Sequence, residues 1–428
     1  ARGLLMSNGL FRLEGLDPAF AINNKTFLKA YQASGENDML RGIASEFKLP
    51  NPWTALAFYS QTRIDAHLET QSNGSNSTEI SGWTRLLTSG YHRTISELEQ
   101  RKNLKEEWFG GHMGYRFSAV EIGLSLLHRR FNMSNFKEPF AIPTKMDMSF
   151  ISVDYKLHST NMRTEGEIAS DPSGHVAHAH TSLLGLGKKC SFNISYSHYD
   201  PGFYSNRSQV NSQSTYSWNE ERLNLGMQLQ PHYKLQMNIS GNFSTIPLPE
   251  STIGSKQAEW DYHLSISYTE RKKYKVRLQF HTIQSLTLFE SERTHDIRSG
   301  NHIIQTQAYL EQIISRNLDW KLRAIWKKNL SGGIPSQGIA FAIDGRYKFP
   351  NGKWTANGRI VLFDIHDYQV RIFINENDVR YHFNLSALSG KGIRMYLNLR
   401  YKPVSKLTLE AKFEVTTLHE QAENRALK

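Results

Sequence analysis

The run Ile393-Arg394-Met395-Tyr396-Leu397-Asn398-Leu399-Arg400-Tyr401 decides the fold. Its odd positions are apolar, and its even positions are Arg394, Tyr396, Asn398 and Arg400, a period of two that gives a strand one apolar and one polar face. After a tight turn at Lys402-Pro403-Val404-Ser405 the alternation resumes, with Leu407, Leu409, Ala411, Phe413 and Val415 set against Thr408, Glu410, Lys412 and Glu414. Soluble strands usually run about 5–6 residues. A tilted strand crossing a hydrocarbon layer needs about 9–11, with short turns on one side and long loops on the other. The expected fold is all-β: an antiparallel transmembrane β-barrel of the outer membrane.

Working outward, the same pattern predicts strands at 38–49, 53–68, 107–117, 120–131, 146–157, 161–169, 175–186, 189–199, 219–230, 233–244, 258–270, 273–284, 301–314, 317–329, 337–349, 353–364, 392–402 and 406–417. These make about 18 strands in nine hairpins, within a range of about 16–24 for barrels of this kind with flanking strands added. Tight reversals fall at Pro50-Asn51-Pro52, Gln230-Pro231-His232, Arg271-Lys272-Lys273, Pro350-Asn351-Gly352 and Pro403, and are expected on the periplasmic rim. Long connections at 69–106, 132–145, 200–218, 245–257, 285–300 and 365–391 are expected outside. No composition break or fixed-period repeat divides the chain, which reads as a single domain over 1–428.

Composition agrees. The 428 residues are 39% hydrophobic, with a mean hydropathy of -0.52. No run of 18 apolar residues exists, which excludes transmembrane helices but not a barrel. Aromatics reach 11%, suiting interfacial girdles. The one cysteine, Cys190, permits no intrachain disulfide and alternates with Phe192, Ile194 and Tyr196, as a small lipid-facing hydrophobe would. The 51 Lys and Arg against 40 Asp and Glu give +11. That charge reads as a basic lumen or rim meeting anionic solutes, lipopolysaccharide phosphates or nucleic acid, or as a solvated loop surface. No signal peptide precedes Ala1, so a mature chain or a fragment of one is expected.

Candidate site chemistry is sparse. Lys275, Arg277 and His281 share one strand face, Lys321 and Arg323 another, and Arg346 and Lys348 a third; Arg394 and Arg400 add to a candidate basic lumen. Asp319, Asp344 and Glu410 are placed to neutralise such a ladder by ion pairing. His178 and His180 stand at i and i+2 beside His175, but no carboxylate or cysteine joins them, and no metal site is expected. No G-x-S-x-G, Walker loop or H-E-x-x-H is present, so neither an enzyme nor a cofactor is expected. In the 69–106 loop, Ser96 and Glu99 read as a capping box. Trp83, Leu86, Leu87, Tyr91, Ile95 and Leu98 make that loop too apolar to wave freely, so it should fold against the extracellular mouth or a partner, with only the tip Gln71–Thr78 mobile.

Several segments carry a resemblance. They are Ser34-Gly35-Glu36-Asn37 with Arg41-Gly42, Ala57-Phe58-Tyr59-Ser60 with Ile64-Asp65-Ala66, Gly90-Tyr91-His92-Arg93-Thr94 with Ser96-Glu97-Leu98, and Gly110-Gly111-His112. Near the end, Glu376-Asn377-Asp378-Val379 with Tyr381 and Phe383, then Gly390-Lys391-Gly392 running into the opening strand, complete the set. In order and spacing, over roughly 1–418, they resemble the barrel region of an uncharacterised outer-membrane family of Bacteroidota. Full-length members of that family often carry a competence-type helix-hairpin-helix region. The resemblance implies the barrel and its location, and contact with nucleic acid only by analogy. His92, Arg93, Glu376, Asn377 and Asp378 stand as mouth-loop candidates, either fixing loop packing or meeting a ligand. Two functional classes follow: a pore or transport component for anionic solutes or nucleic acid, or a non-catalytic structural or accessory subunit of a larger secretion, insertion or uptake complex.

Overall fold

The computed structural model describes residues 40–419 except 51, 74–76, 88–91, 93, 134–146, 188, 201–202, 204–220, 248–254, 272, 291–294, 299, 332–335, 381–384 and 405–406. The chain divides into two compact units. The first comprises Ala1–Leu186, Phe192–Leu225 and Ser244–Thr252, and the second Gly187–Ser191, Gly226–Phe243 and Ile253–Lys428.

The first unit carries β1 (Gly42–Lys48), β2 (Trp53–Ile64), β3 (Ala66–Asn73), β4 (Ser77–Leu86), the short helix α1 (Ile95–Glu99), β5 (Leu104–Phe117), β6 (Val120–Phe131), β7 (Asp147–His158), β8 (Met162–Ser170) and β9 (Val176–Gly185). β10 (Cys190–Tyr199), β11 (Glu221–His232) and β12 (Leu235–Pro247) contribute residues to both units. The second unit holds β13 (Ser255–Glu270), β14 (Tyr274–Glu290), β15 (His295–Arg298), β16 (His302–Ile313), β17 (Leu318–Asn329), β18 (Ser336–Lys348), β19 (Trp354–Ile365), β20 (Ile372–Asn375), β21 (Leu385–Leu388), β22 (Gly390–Val404) and β23 (Leu407–Leu418).

Nineteen strands belong to one sheet, and the hairpins β3–β4 and β20–β21 form two small sheets of their own. In the first unit the antiparallel order runs β1, β2, β5, β6, β7, β8, β9. In the second it runs β13, β14, β16, β17, β18, β19, β22, β23. Each predicted strand has a counterpart, displaced by a few residues at most. The differences lie in the long connections. β2 stops at Ile64, and the chain re-pairs as β3–β4, so the loop predicted at 69–106 is half hairpin. β14 runs on to Glu290 and pairs with the short β15, where a loop was expected.

Burial is the reverse of a soluble protein's. In the first unit Phe109, Ile122, Leu126 and Ile168 are half exposed, while His112, Ser125 and Asp154 on the opposite face are at most 5% exposed. In the second, Leu278, Phe341, Ile360, Leu362 and Phe413 are exposed, whereas Asp344, Arg359 and Asn398 are buried. Leaving this much apolar area in water would forfeit about 25 cal/mol per Å². In hydrocarbon the same arrangement is the stable one, because backbone groups bonded between neighbouring strands need no water. The chain is an outer-membrane β-barrel protein, and its apolar face meets lipid. The opposite face is called the inner face below.

Candidate functional site

In the second unit, register sets the charges of the inner face in rows. Lys275 of β14 lies opposite Glu311 of β16, which lies opposite Lys321 of β17. Lys321 is opposite Asp344 of β18, and Asp344 is opposite Arg359 of β19. The row therefore alternates in sign across five strands. Lys321 Nζ is 3.3 Å from Glu311 Oε1, and Arg359 Nε donates to Asp344 Oδ1 at 2.6 Å. The expected cationic ladder is thus a row of ion pairs over much of its course. Arg346 donates from Nε to Asp319 Oδ2 at 2.7 Å, Arg400 to Glu410 at 2.6 Å, and His281 Nε2 meets Asp261 at 2.6 Å. Arg323 faces the Tyr309 ring at 5.9 Å. Lys348 ends β18 and is exposed beside the Pro350 turn, at the rim rather than on the inner face.

The described residues of the connection 366–389 fold back onto this inner face as a strap. Asp367 caps a 3-10 turn at Tyr368–Val370 through the Gln369 amide at 3.1 Å. Val370, Ile372, Ile374 and Leu388 are then buried against Ile325, Ala340, Ala342, Val361 and Phe363. The strap passes so close to β18 that a Cβ on Gly338 would sit 3.3 Å from the Val370 carbonyl oxygen. Past the small core the anchoring turns ionic. Glu376, whose side chain is 1% exposed, accepts from Arg394 Nε at 2.6 Å and stands 3.0 Å from Lys412 Nζ. Asp378 also meets Lys412 at 3.0 Å. The Asn377 amide donates to the Tyr396 hydroxyl at 3.2 Å, Arg359 donates to the Asn375 carbonyl at 2.5 Å, and the Arg380 amide donates to Glu410 at 2.6 Å.

The mouth-loop residues Glu376, Asn377 and Asp378 and the basic residue Arg394 therefore form one site. Of its other members, Tyr396 lay in the segment that carries the family resemblance, and Lys412 carried no signal beyond strand alternation. Burial pushes the Glu376 carboxyl up, but hydrogen bonds from Arg394 and Lys412 outweigh it and hold the group below the usual carboxylate range.

The first unit covers its inner face differently. Ala66 and Trp83 of β3 and β4 are buried with Trp108, Leu127, Phe131, Met148, Phe150, Tyr199 and Phe203. The Trp83 indole donates to the Met133 carbonyl at 3.2 Å and packs on Phe131 with ring centroids 5.1 Å apart. Beside them, Arg129 and Glu106, each 1% exposed, are paired at 2.6 Å, with the guanidinium 4.2 Å from the Phe131 ring. Three expectations for this loop need correction. The N-cap of α1 is Thr94, boxed with Glu97, not Ser96 with Glu99. Ile95 and Leu98 are 78% and 51% exposed, because a five-residue helix turns them away from the Trp83 core. The polar tip includes paired β-structure at Asn73 and Ser77. His92 meets Asp65 at 2.7 Å, which also accepts from the Lys102 amide at 2.8 Å, so it fixes the loop's base. Arg93 and Tyr91 lie outside the described residues.

Two histidine groups have polar partners within reach of their rings. His180 Nδ1 meets the Tyr155 hydroxyl at 2.6 Å and its Nε2 the Ser182 hydroxyl at 2.8 Å, so both ring nitrogens are engaged. Among the described residues no three His, Cys, Asp or Glu side chains converge as metal ligands. His112, Ser125 and Asp154 resemble a hydrolytic trio, but Ser125 at 2.9 Å and Asp154 at 3.5 Å both approach the same nitrogen, Nδ1. A proton relay needs one partner on each nitrogen. This trio is a buried polar knot.

No protein-family model and no curated protein matches the chain. Solved structures with a similar outline include OmpT of Vibrio cholerae, 8% identical, with a TM-score of 0.35 over 87% of this chain and 100% of that one. OccAB2 of Acinetobacter baumannii is 10% identical, with a TM-score of 0.37 over 84% of this chain and 91% of that one. The FrpB iron transporter from Neisseria meningitidis is 9% identical, with a TM-score of 0.41 over 88% of this chain and 59% of that one. Similarity at this level assigns no residue a role here.

Proposed function

We propose that this barrel is a non-catalytic pore or transport component that passes anionic solutes along its inner face, with the strap 366–389 restricting access. The observation that carries this reading lies on β14, β16 and β17. There the four bases Lys275, Arg277, Lys321 and Arg323 stand in register with Glu311 and, across Lys321, with Asp344. A wall with surplus positive charge between strands of low polarisability concentrates anions. Nucleic acid, the polyanion implied by the family resemblance, is the extreme member of that class. Planar-bilayer recording tests the reading. Conductance with a reversal potential on the anion side of a salt gradient is expected, and Lys275→Met with Arg277→Met should remove the anion preference. Absence of conductance, or a cation preference, contradicts it.

One observation favours the second class, an accessory subunit of a larger outer-membrane assembly. On the apolar face of β7–β9, Tyr155, Thr164, His180 and Ser182 form a hydrogen-bonded polar patch between exposed Ile151, Val153, Ile168 and Leu184. Polar groups on a lipid-facing wall suit a partner better than hydrocarbon. Mild-detergent extraction should then retain a partner that Tyr155→Phe with His180→Leu releases. A monodisperse, partner-free barrel contradicts this class.

A further inference from the structure

The positive charge of the second unit is concentrated on one edge. Among the described residues, its short turns at 187–189, 233–234, 271–273, 314–317 and 349–353 carry Lys189, Lys234, Arg271, Lys273, Arg316 and Lys353 and no Asp or Glu. Its long connections at 291–301, 330–335 and 366–389 hold four bases and five acids. Lys189, Arg271, Lys273, Arg316 and Lys353 are exposed, while Lys234 is tied to Glu270 at 2.6 Å. A solvated loop surface would spread such charge over both edges. Here the short-turn edge carries the net positive charge and the long-connection edge carries none.

A second feature shares that edge. Immediately inside the turns lie paired aromatic rings: Tyr268 stacked on Tyr274 at 6.0 Å, Trp354 stacked on Tyr401 at 4.3 Å, and Tyr347 edge-on to Phe349 at 4.9 Å. Tyr233 is 75% exposed beside Lys234. Aromatic rings with a polar tip settle where hydrocarbon gives way to headgroups. Lysines and arginines just outside such a belt are at the depth of the lipid phosphates, and Lys234 Nζ stands 5.4 Å from the Tyr233 ring.

We propose that the short-turn rim of the second unit is a docking surface for anionic phospholipid headgroups of the leaflet it enters. The partner is a phosphodiester surface rather than a protein or nucleic acid, because the charges sit directly outside an aromatic girdle that fixes them at headgroup depth. Since short turns of such barrels face the periplasm, that leaflet is the inner one. This surface is independent of the proposed pore, whose charges lie on the inner face.

The test uses the full chain in mixed micelles of phosphatidylglycerol and phosphatidylethanolamine, read by native mass spectrometry of retained lipid. The parent protein should retain phosphatidylglycerol roughly threefold or more over its share in the mixture, and added salt should lower that preference. A variant carrying Lys189→Gln, Arg271→Gln, Lys273→Gln, Arg316→Gln and Lys353→Gln should retain both lipids in proportion. If that variant fails to fold, acetylation of the folded parent's lysines should reduce the preference at least by half. Equal retention by the parent overturns the proposal. So does a preference unchanged in the variant, or one displaced by a short oligonucleotide but not by phosphatidylglycerol.

Discussion

The two units cover their inner faces with loops that are held by different physics. Loop 65–103 is anchored by Trp83 in an aromatic cluster with Trp108, Phe131 and Tyr199. Strap 366–389 has a smaller aliphatic core around Val370 and Ile372, and beyond it the charged set Glu376, Asp378, Arg394 and Lys412. Apolar anchoring is indifferent to pH and salt and is lost only when the ring is removed. A buried ionic latch instead depends on the charge of each member, and so responds to protonation or to removal of one partner. The difference suggests a fixed cover on one unit and a releasable one on the other.

The largest expected effect is Trp83→Ala, which should cost about 3–5 kcal/mol. It should make 66–86 cleavable by added protease and fast to exchange amide hydrogens, with 366–389 unchanged. Glu376→Gln comes next, at about 2–3 kcal/mol, since Arg394 retains Glu414 and Lys412 retains Asp378. It should speed exchange across 372–380 and raise conductance, while loop 65–103 stays protected. Equal responses of both loops to either change would erase the contrast.

Acid sharpens the comparison further. The Glu376 carboxyl is depressed in the folded chain by Arg394 and Lys412. Its contribution is therefore complete above the ordinary glutamate value of about 4.3 and is lost as pH falls through the lower folded value. Exchange in 372–380 should be flat from pH 8 to about 5 and rise only below about 4. Release of the strap between pH 6 and 7 would contradict the latch. The smallest effect is Thr94→Ala, which removes the α1 cap for about 1 kcal/mol and should loosen 94–100 without disturbing Trp83.

Strand positions were legible because period-two alternation is a local signal, written within ten residues of any point. Anchoring of loop 65–103 was half legible, since Trp83 and Leu86 advertise burial, but Ile95 and Leu98 advertised it equally and are exposed. The latch was legible only in pieces. Glu376 and Arg394 were both singled out, yet their pairing depends on how a strap returns across five strands, which no local pattern encodes. Likewise the basic row from Lys275 to Arg359 could not be read as alternating in sign until register set Glu311 and Asp344 between its members.

The central claim is that apolar side chains of these strands face hydrocarbon while their neighbours face inward. Arg277 and Leu278 are adjacent on β14 and belong to opposite faces, with Leu278 51% exposed. In a Cys190→Ser background, Arg277→Cys and Leu278→Cys can each carry a fluorescent label in bilayers containing brominated lipid. The account predicts strong lipid quenching at 278 with little iodide quenching, and the reverse at 277. Equal quenching at both positions, or lipid quenching at 277 alone, would contradict it.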